Sequence, residues 1–288
     1  MEKHVTPKEL SDFARRLRED ERSASTIENY LRHIRAFAAW AGERPVTKDL
    51  AAAWKEYLVA RYRPGTVNTM LVSLNRFFGF LGWYDCQVKT LRIQRRLFRE
   101  DSKELTREEY ARLVSAAQSS GRERLVLLLE TICSTGIRVS EVKYITVEAL
   151  AQGRAEISLK GKIRTILLPD KLCRKLLKYA KKQKTVSGEV FLTRNGTGIS
   201  RKQIWSEMKA ICAKAKVAAS KVFPHNLRHL FARTFYKVCR DVVKLADVLG
   251  HSSIETTRIY LISTGAEHAR TLERVRLLLS TKYRYCPK

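Results

Sequence analysis

The chain has 288 residues, enough to bury the cores of two modest domains, and 44% hydrophobic residues exclude a disordered chain. Its formal net charge is +27 and its pI is near 10.1, a field that attracts polyanions and points to nucleic acid rather than to a neutral partner. The excess is uneven: residues 1–100 carry 19 basic and 12 acidic side chains, and residues 101–288 carry 37 and 17. Cys86, Cys133, Cys173, Cys212, Cys239 and Cys286 form no C-x-x-C pair, which excludes a zinc module, and their apolar surroundings predict reduced thiols. MEKHVTPKEL has no apolar core of a signal peptide, and no run reaches membrane-spanning length. The expected setting is a prokaryotic cytoplasm, at the nucleoid.

Taken in chain order, STIENYLRHIRAFAAW sets Ile27, Tyr30, Leu31, Ile34, Phe37 and Ala38 on one helical face, with Ser25 and Glu28 as a capping box. Pro64-Gly65 breaks the chain before a second helix, whose inward residues are Val67, Met70, Leu71, Leu74 and Phe77. The opposite faces carry Arg32, Arg35, Asn68, Asn75 and Arg76, which serve equally well as DNA contacts or as a solvated surface. CQVKTLRIQRRLFR holds five basic residues and no acidic one, so it reads as a linker lying along a DNA backbone. A fresh helix starts at Thr106, capped with Glu109. RLVLLLETICST is a strongly apolar helix. AEISLKGKIRTILLP switches to two short strands around a Lys-Gly-Lys turn, and the pattern is helical again beyond it. The class expected is mainly α with a small β-sheet, in two domains: a helical DNA-binding unit over 1–85, a basic linker over 86–102, and a second unit over 103–288.

Four short motifs carry the chemistry. STGIRVSE holds Arg138 just past a helix-ending glycine. LKGKIR puts Lys160 and Lys162 in a hairpin turn. HNLRHLFAR sets His225 and Arg228 three residues apart on one helical face. LGHSSIETTRIY holds His251 and Tyr260, with Gly250 ending one helix and Ser252 with Glu255 capping the next, which puts Tyr260 two turns into that helix. Singly, each has a plainer reading: a surface charge, a structural histidine, a core ring. The set, its order and its basic surroundings make the case.

These motifs resemble those of the tyrosine recombinase, or phage integrase, family. T-G-x-R-x-S-E appears as Thr135 to Glu141, H-x-L-R-H as His225 to His229, and L-G-H-S-S with a following tyrosine as Leu249 to Tyr260. The likeness spans the chain and is nearest to simple two-domain members, such as Xer recombinases and integrases of conjugative transposons. It implies a two-domain DNA clamp, with a SAM-like core-binding domain and a catalytic domain that ends in a helix. Arg138 and Arg228 would clamp the scissile phosphate. His225 would be general base or phosphate ligand, His251 the second phosphate-binding histidine, and Tyr260 the nucleophile. The family's K-G-x-x-x-R is one residue shorter here, as Lys160 to Arg164, so the general acid is Lys160 with Lys162 as the alternative.

The chemistry agrees with that set. Attack on a phosphodiester builds charge on its non-bridging oxygens, and guanidinium forks meet those atoms bidentately. A tyrosine of pKa about 10 needs a base or cations to attack as phenolate. The departing 5′-oxygen needs a proton, which a lysine supplies. Neither a metal nor another cofactor is expected, since no carboxylate cluster suits magnesium. The expected partners are double-stranded DNA, a homotetramer on synapsed sites, and an accessory DNA-bending or excisionase protein. The amphipathic pattern of Ala269, Leu272, Val275, Leu278 and Leu279 predicts a terminal helix that packs on its own domain or on a neighbouring protomer, and the family resemblance implies donation to the neighbour. The reading favoured is integration or excision of a mobile element. The competing readings are replicon-dimer resolution, a type IB topoisomerase-like enzyme, and a non-catalytic DNA-binding relative.

Overall fold

The computed structural model describes residues 2–93, 104–159, 162–251 and 253–260. It divides into two compact units, Met1–Arg95 and Arg96–Lys288. The described residues are mostly helical, with one two-stranded sheet.

In the first unit, α1 (Pro7–Glu19), α2 (Ala24–Ala41), α3 (Lys48–Arg61) and α4 (Pro64–Phe80) enclose a core of Phe13, Leu17, Ile34, Phe37, Leu58, Leu71 and Phe77. Each such side chain, fully buried, contributes about 1.5–3 kcal/mol of transfer free energy. Ile27, Leu31, Ile34 and Phe37 of α2 are buried as the helical spacing requires, while Tyr30 and Ala38 lie at the rim. Two local expectations change. The N-cap of α2 is Ser23, not Ser25, and its hydroxyl pairs with Thr26 Oγ1 at 2.8 Å instead of a backbone amide. Pro64 is the first residue of α4, where its missing N–H costs nothing.

The stretch from Cys86 belongs in part to this unit and is not free linker throughout. Cys86 and Val88 are buried. Asn75 accepts from Val88 N at 3.0 Å and donates to Val88 O at 2.7 Å, and Asn68 makes the same pair of bonds to Leu91, at 2.7 and 2.9 Å. These two amides, open in the sequence between DNA contact and a solvated surface, instead hold an extended segment against α4. Arg76 pairs with Asp20 at 2.7 Å. The remainder of the arginine-rich segment lies outside the described residues.

The second unit opens with α5 (Arg107–Gln118), whose Thr106–Glu109 capping box forms as expected. It packs on α6 (Glu123–Thr135), buried nearly all round. A 3-10 turn over Val139–Tyr144 and α7 (Val147–Gln152) lead to β1 (Arg154–Leu159) and β2 (Lys162–Leu167). The strands pair antiparallel, with Leu159 opposite Lys162. Lys162 is therefore a strand residue and not part of the turn. Then follow α8 (Asp170–Lys182), α9 (Arg201–Ala210), α10 (Cys212–Ala215), α11 (Pro224–Cys239), α12 (Val242–Leu249) and α13 (Ile254–Arg258). Leu125, Leu129, Ile132, Ile157, Leu176, Phe191 and Leu227 form the core that joins the hairpin to the helices. No described helix is long and apolar enough to cross a membrane.

Candidate active site

Two glycines bring the site's segments together. Gly136 ends α6 in the left-handed region at φ 64°, and a Cβ there would lie 2.3 Å from the Phe231 ring of α11. Gly250 ends α12 at φ 62°, and a Cβ there would meet the Arg164 side chain at 2.2 Å. Only a residue without Cβ permits both the backbone turn and the approach. Arg138 thus leaves α6, and His251 leaves α12, directly beside α11.

Arg228, one turn into α11, is 2% exposed. Its guanidinium donates from Nη1 to the Gly136 carbonyl, from Nη2 to the Leu249 carbonyl at 2.7 Å, and from Nε to Tyr260 Oη at 3.4 Å. Nη2 also lies 2.9 Å from His251 Nε2. A guanidinium only donates, so Nε2 is the acceptor, and the Nδ1 proton of His251 goes to Thr257 Oγ1 at 2.8 Å. These partners of Arg228 are all neutral. Burial pulls its pKa down and the Tyr260 hydroxyl opposes that. A cation so placed is ready for an anion.

Tyr260 falls in a turn just past α13, not two turns inside a helix, and is 5% exposed. The N-cap of α13 is Ser253, with Oγ accepting from Glu255 N at 3.3 Å; Ser252 lies outside the described residues. The Tyr260 ring stacks on His251, with centroids 5.6 Å apart and planes at 14°. His229 lies 4.4 Å and His225 6.0 Å from the same ring. The pKa of His251 is lowered to about 4, by burial first and then by Arg228, Arg138 and Arg164. His225 is lowered by partial burial and by Arg228 and Arg138. Both imidazoles are therefore neutral near pH 7 and able to accept a proton or a hydrogen bond.

Arg138 is half-exposed, and its position is fixed from behind. Glu141, 2% exposed, accepts from Arg138 Nη1 at 2.8 Å and from the Arg138 backbone N at 2.7 Å. Arg164 on β2 donates to the same carboxylate at 2.6 Å, and its Nη1 reaches the Leu249 carbonyl. Burial lowers the Arg164 pKa to about 10 against the opposing pull of Glu141. Two guanidinium groups thus share one carboxylate while the third, that of Arg228, has only neutral partners, leaving a local positive excess that suits a phosphodiester.

The structure gathers Arg138, His225, Arg228, His251 and Tyr260 around one point. Lys160 lies outside the described residues, as does the terminal segment expected to leave the protomer. Sequence reasoning quoted Glu141, Arg164 and His229 inside motifs but gave them no task. The available signal for Glu141 was its spacing of three from Arg138. Nothing in the sequence tied Arg164 to the end of α12 at Leu249. Among the described residues, no group of three or more His, Cys, Asp or Glu side chains could hold a metal ion.

A small helical unit followed by a helical unit with one β-hairpin is the tyrosine recombinase architecture. The profile of the phage integrase family matches residues 103–267, and that of the phage integrase N-terminal SAM-like domain matches residues 10–84. Tyrosine recombinase XerA of Pyrococcus furiosus is 28% identical over 285 residues, covering 96% of this chain and 97% of that protein. Tyrosine recombinase XerD of Xanthomonas axonopodis pv. citri is 30% identical, covering 86% and 89%. Among solved structures, the Tn1549 transposon integrase with transposon right-end DNA aligns with TM-score 0.70 at 16% identity, covering 94% of this chain and 99% of that one. A lambda integrase dimer bound to a COC′ core site aligns at 0.72 and 17% identity, covering 88% and 94%. The chain belongs to the phage integrase family and is a tyrosine recombinase, an enzyme of site-specific DNA recombination.

Proposed function

We propose that Tyr260 attacks the scissile phosphate of a specific duplex site, and that four copies exchange strands between two such sites to integrate or excise a mobile element. The observation that carries the assignment is the Arg228–Tyr260 pair, a buried cation with its Nε on the tyrosine hydroxyl and its Nη2 on His251. The Oη–phosphorus bond forms as the bond from phosphorus to the 5′-oxygen breaks. Arg138 and Arg228 hold the non-bridging oxygens with His251 as the second histidine on the phosphate, and His225 takes the phenolic proton as general base or holds a phosphate oxygen. Lys160 delivers a proton to the departing 5′-oxygen. The 3′-phosphotyrosine keeps the bond energy, so a new 5′-hydroxyl reseals the strand without ATP.

Residues from about 1–85 and 103–288 grip the duplex as a clamp, with the basic segment between them along the backbone. The terminal helix docks on a neighbouring copy, and an accessory DNA-bending or excisionase protein sets direction. The similarity to Xer recombinases over most of the chain favours a second reading, resolution of replicon dimers by the same chemistry.

The test begins with a half-site recovered by binding selection from a randomised duplex library. A nicked duplex carrying that site should leave a covalent protein–DNA adduct on a denaturing gel, absent with Tyr260→Phe. Recombinant products from paired sites separate a recombinase from a topoisomerase-like enzyme. Binding without an adduct would mark a non-catalytic relative.

A further inference from the structure

We propose that Arg164 is a positioning residue that locks the β1–β2 hairpin to both arginines of the clamp; this deepens the reading above and rests on it. Arg164 does not face the candidate phosphate site directly. Its two terminal nitrogens instead divide between two acceptors that the clamp itself uses.

The first acceptor is Glu141. Its Oε2 takes Arg164 Nη2 at 2.6 Å and the Arg138 backbone N at 2.7 Å, while Oε1 takes Arg138 Nη1 at 2.8 Å. The second is the Leu249 carbonyl, which receives Arg164 Nη1 and also Arg228 Nη2. One guanidinium therefore reaches Arg138 through a carboxylate and Arg228 through a carbonyl. The same contact fixes the turn at Gly250, where a Cβ would strike the Arg164 side chain, and so bears on His251 in the next position. The register sets the third link. Ile157 pairs with Arg164, and Lys162 pairs with Leu159, so Arg164 lies two strand residues past the start of β2. An arginine is required because only its planar fork spans two acceptors at fixed separation; lysine offers a point charge. The buried Glu141 needs cationic partners, which makes the arrangement stiff.

The prediction is specific to the anionic transition state. Arg164→Met should bind the selected half-site with nearly native affinity but cleave it roughly 10–100-fold more slowly, the scale expected for a displacement of about 1 Å in a clamp. Arg164→Lys should recover part of the loss, through Glu141 alone. A substrate with a methylphosphonate at the scissile position lacks one anionic oxygen and depends less on the clamp. On it the Arg164→Met deficit should shrink to a few-fold. A residue that merely supports the fold would slow both substrates alike.

Native-rate cleavage by Arg164→Met, or equal deficits on the two substrates, overturns the inference. If Arg164→Met fails to fold, Arg164→Lys carries the same two-substrate comparison. A wild-type chain that forms no adduct on the selected DNA overturns the recombinase-site reading itself. A wild type that cleaves beside an Arg164→Met variant that cleaves as fast overturns this inference alone.

Discussion

His251 should tie the stability of this protein to pH. Cations press on it from several elements: Arg228 from α11, Arg138 from the segment after α6, and Arg164 from β2; His225, Tyr260 and Thr257 complete its surroundings. Its folded pKa is about 4, below the ordinary 6.5, so between those values the unfolded chain holds a proton that the folded chain does not. Stability from this group is therefore complete above about pH 6.5 and drains away as pH falls toward about 4. At roughly 1.36 kcal/mol per pH unit, the interval from 6.5 to about 4 amounts to about 3 kcal/mol. The ring keeps some solvent contact, so a loss of about 1–3 kcal/mol is expected between pH 7 and 4.5. The assay is urea unfolding across that range for the native chain and His251→Gln. Glutamine does not titrate, so the variant should lose less stability on acidification. A residual slope should persist, because His225 is shifted in the same direction. Equal pH slopes for the two proteins would refute the claim that burial, with the arginine cluster, holds His251 neutral.

Four other outcomes are expected. Tyr260→Phe should keep half-site affinity and near-native stability, since the ring still stacks on His251 and only a 3.4 Å hydrogen bond is lost, yet form no adduct on a denaturing gel. Arg138→Ala and Arg228→Ala should each slow cleavage by roughly two to three orders of magnitude while weakening binding far less, as single-turnover and equilibrium-binding measurements would read. Glu141→Ala should cost about 3–5 kcal/mol in denaturant unfolding, because it breaks a buried ion network and leaves Arg138 and Arg164 without their carboxylate. Lys160→Ala should slow cleavage of ordinary DNA by roughly two to four orders of magnitude. A substrate with sulfur at the 5′-bridging position should restore its rate, because a thiol of pKa about 8.5 leaves without a proton. Sulfur rescue of Lys162→Ala instead would move the acid to the strand.

The sequence alone determined most of the local structure, because local structure follows short-range rules. The apolar spacing of Ile27, Leu31, Ile34 and Phe37 needs nothing beyond 3.6 residues per turn to define the buried face of α2. The Thr106–Glu109 box and the glycine stops at Gly136 and Gly250 likewise act within a few residues. The motif set, with its order, pointed to the family, since arginine, histidine and tyrosine are needed together for phosphoryl chemistry. Caps next to a competing serine were less legible: Ser23 rather than Ser25, and Ser253 rather than Ser252, differ by contacts that a spacing rule does not weigh.

Tertiary structure decided the tasks of individual polar residues. Asn68 and Asn75 looked like surface amides, but the chain returns over 87–91 and its backbone takes their hydrogen bonds. Arg228 and Arg138 look alike in sequence, yet one is buried among carbonyls and the other is half-open beside Glu141. Arg164 and Leu249 are 85 residues apart, and no local pattern encodes their contact. Gly250 leaves room for the Arg164 side chain where a Cβ would stand, and Gly136 does the same for Phe231 of α11 and Leu249 of α12. Secondary structure is paid out along the chain at short range, whereas the charge balance of a site is fixed only when distant segments share one buried volume.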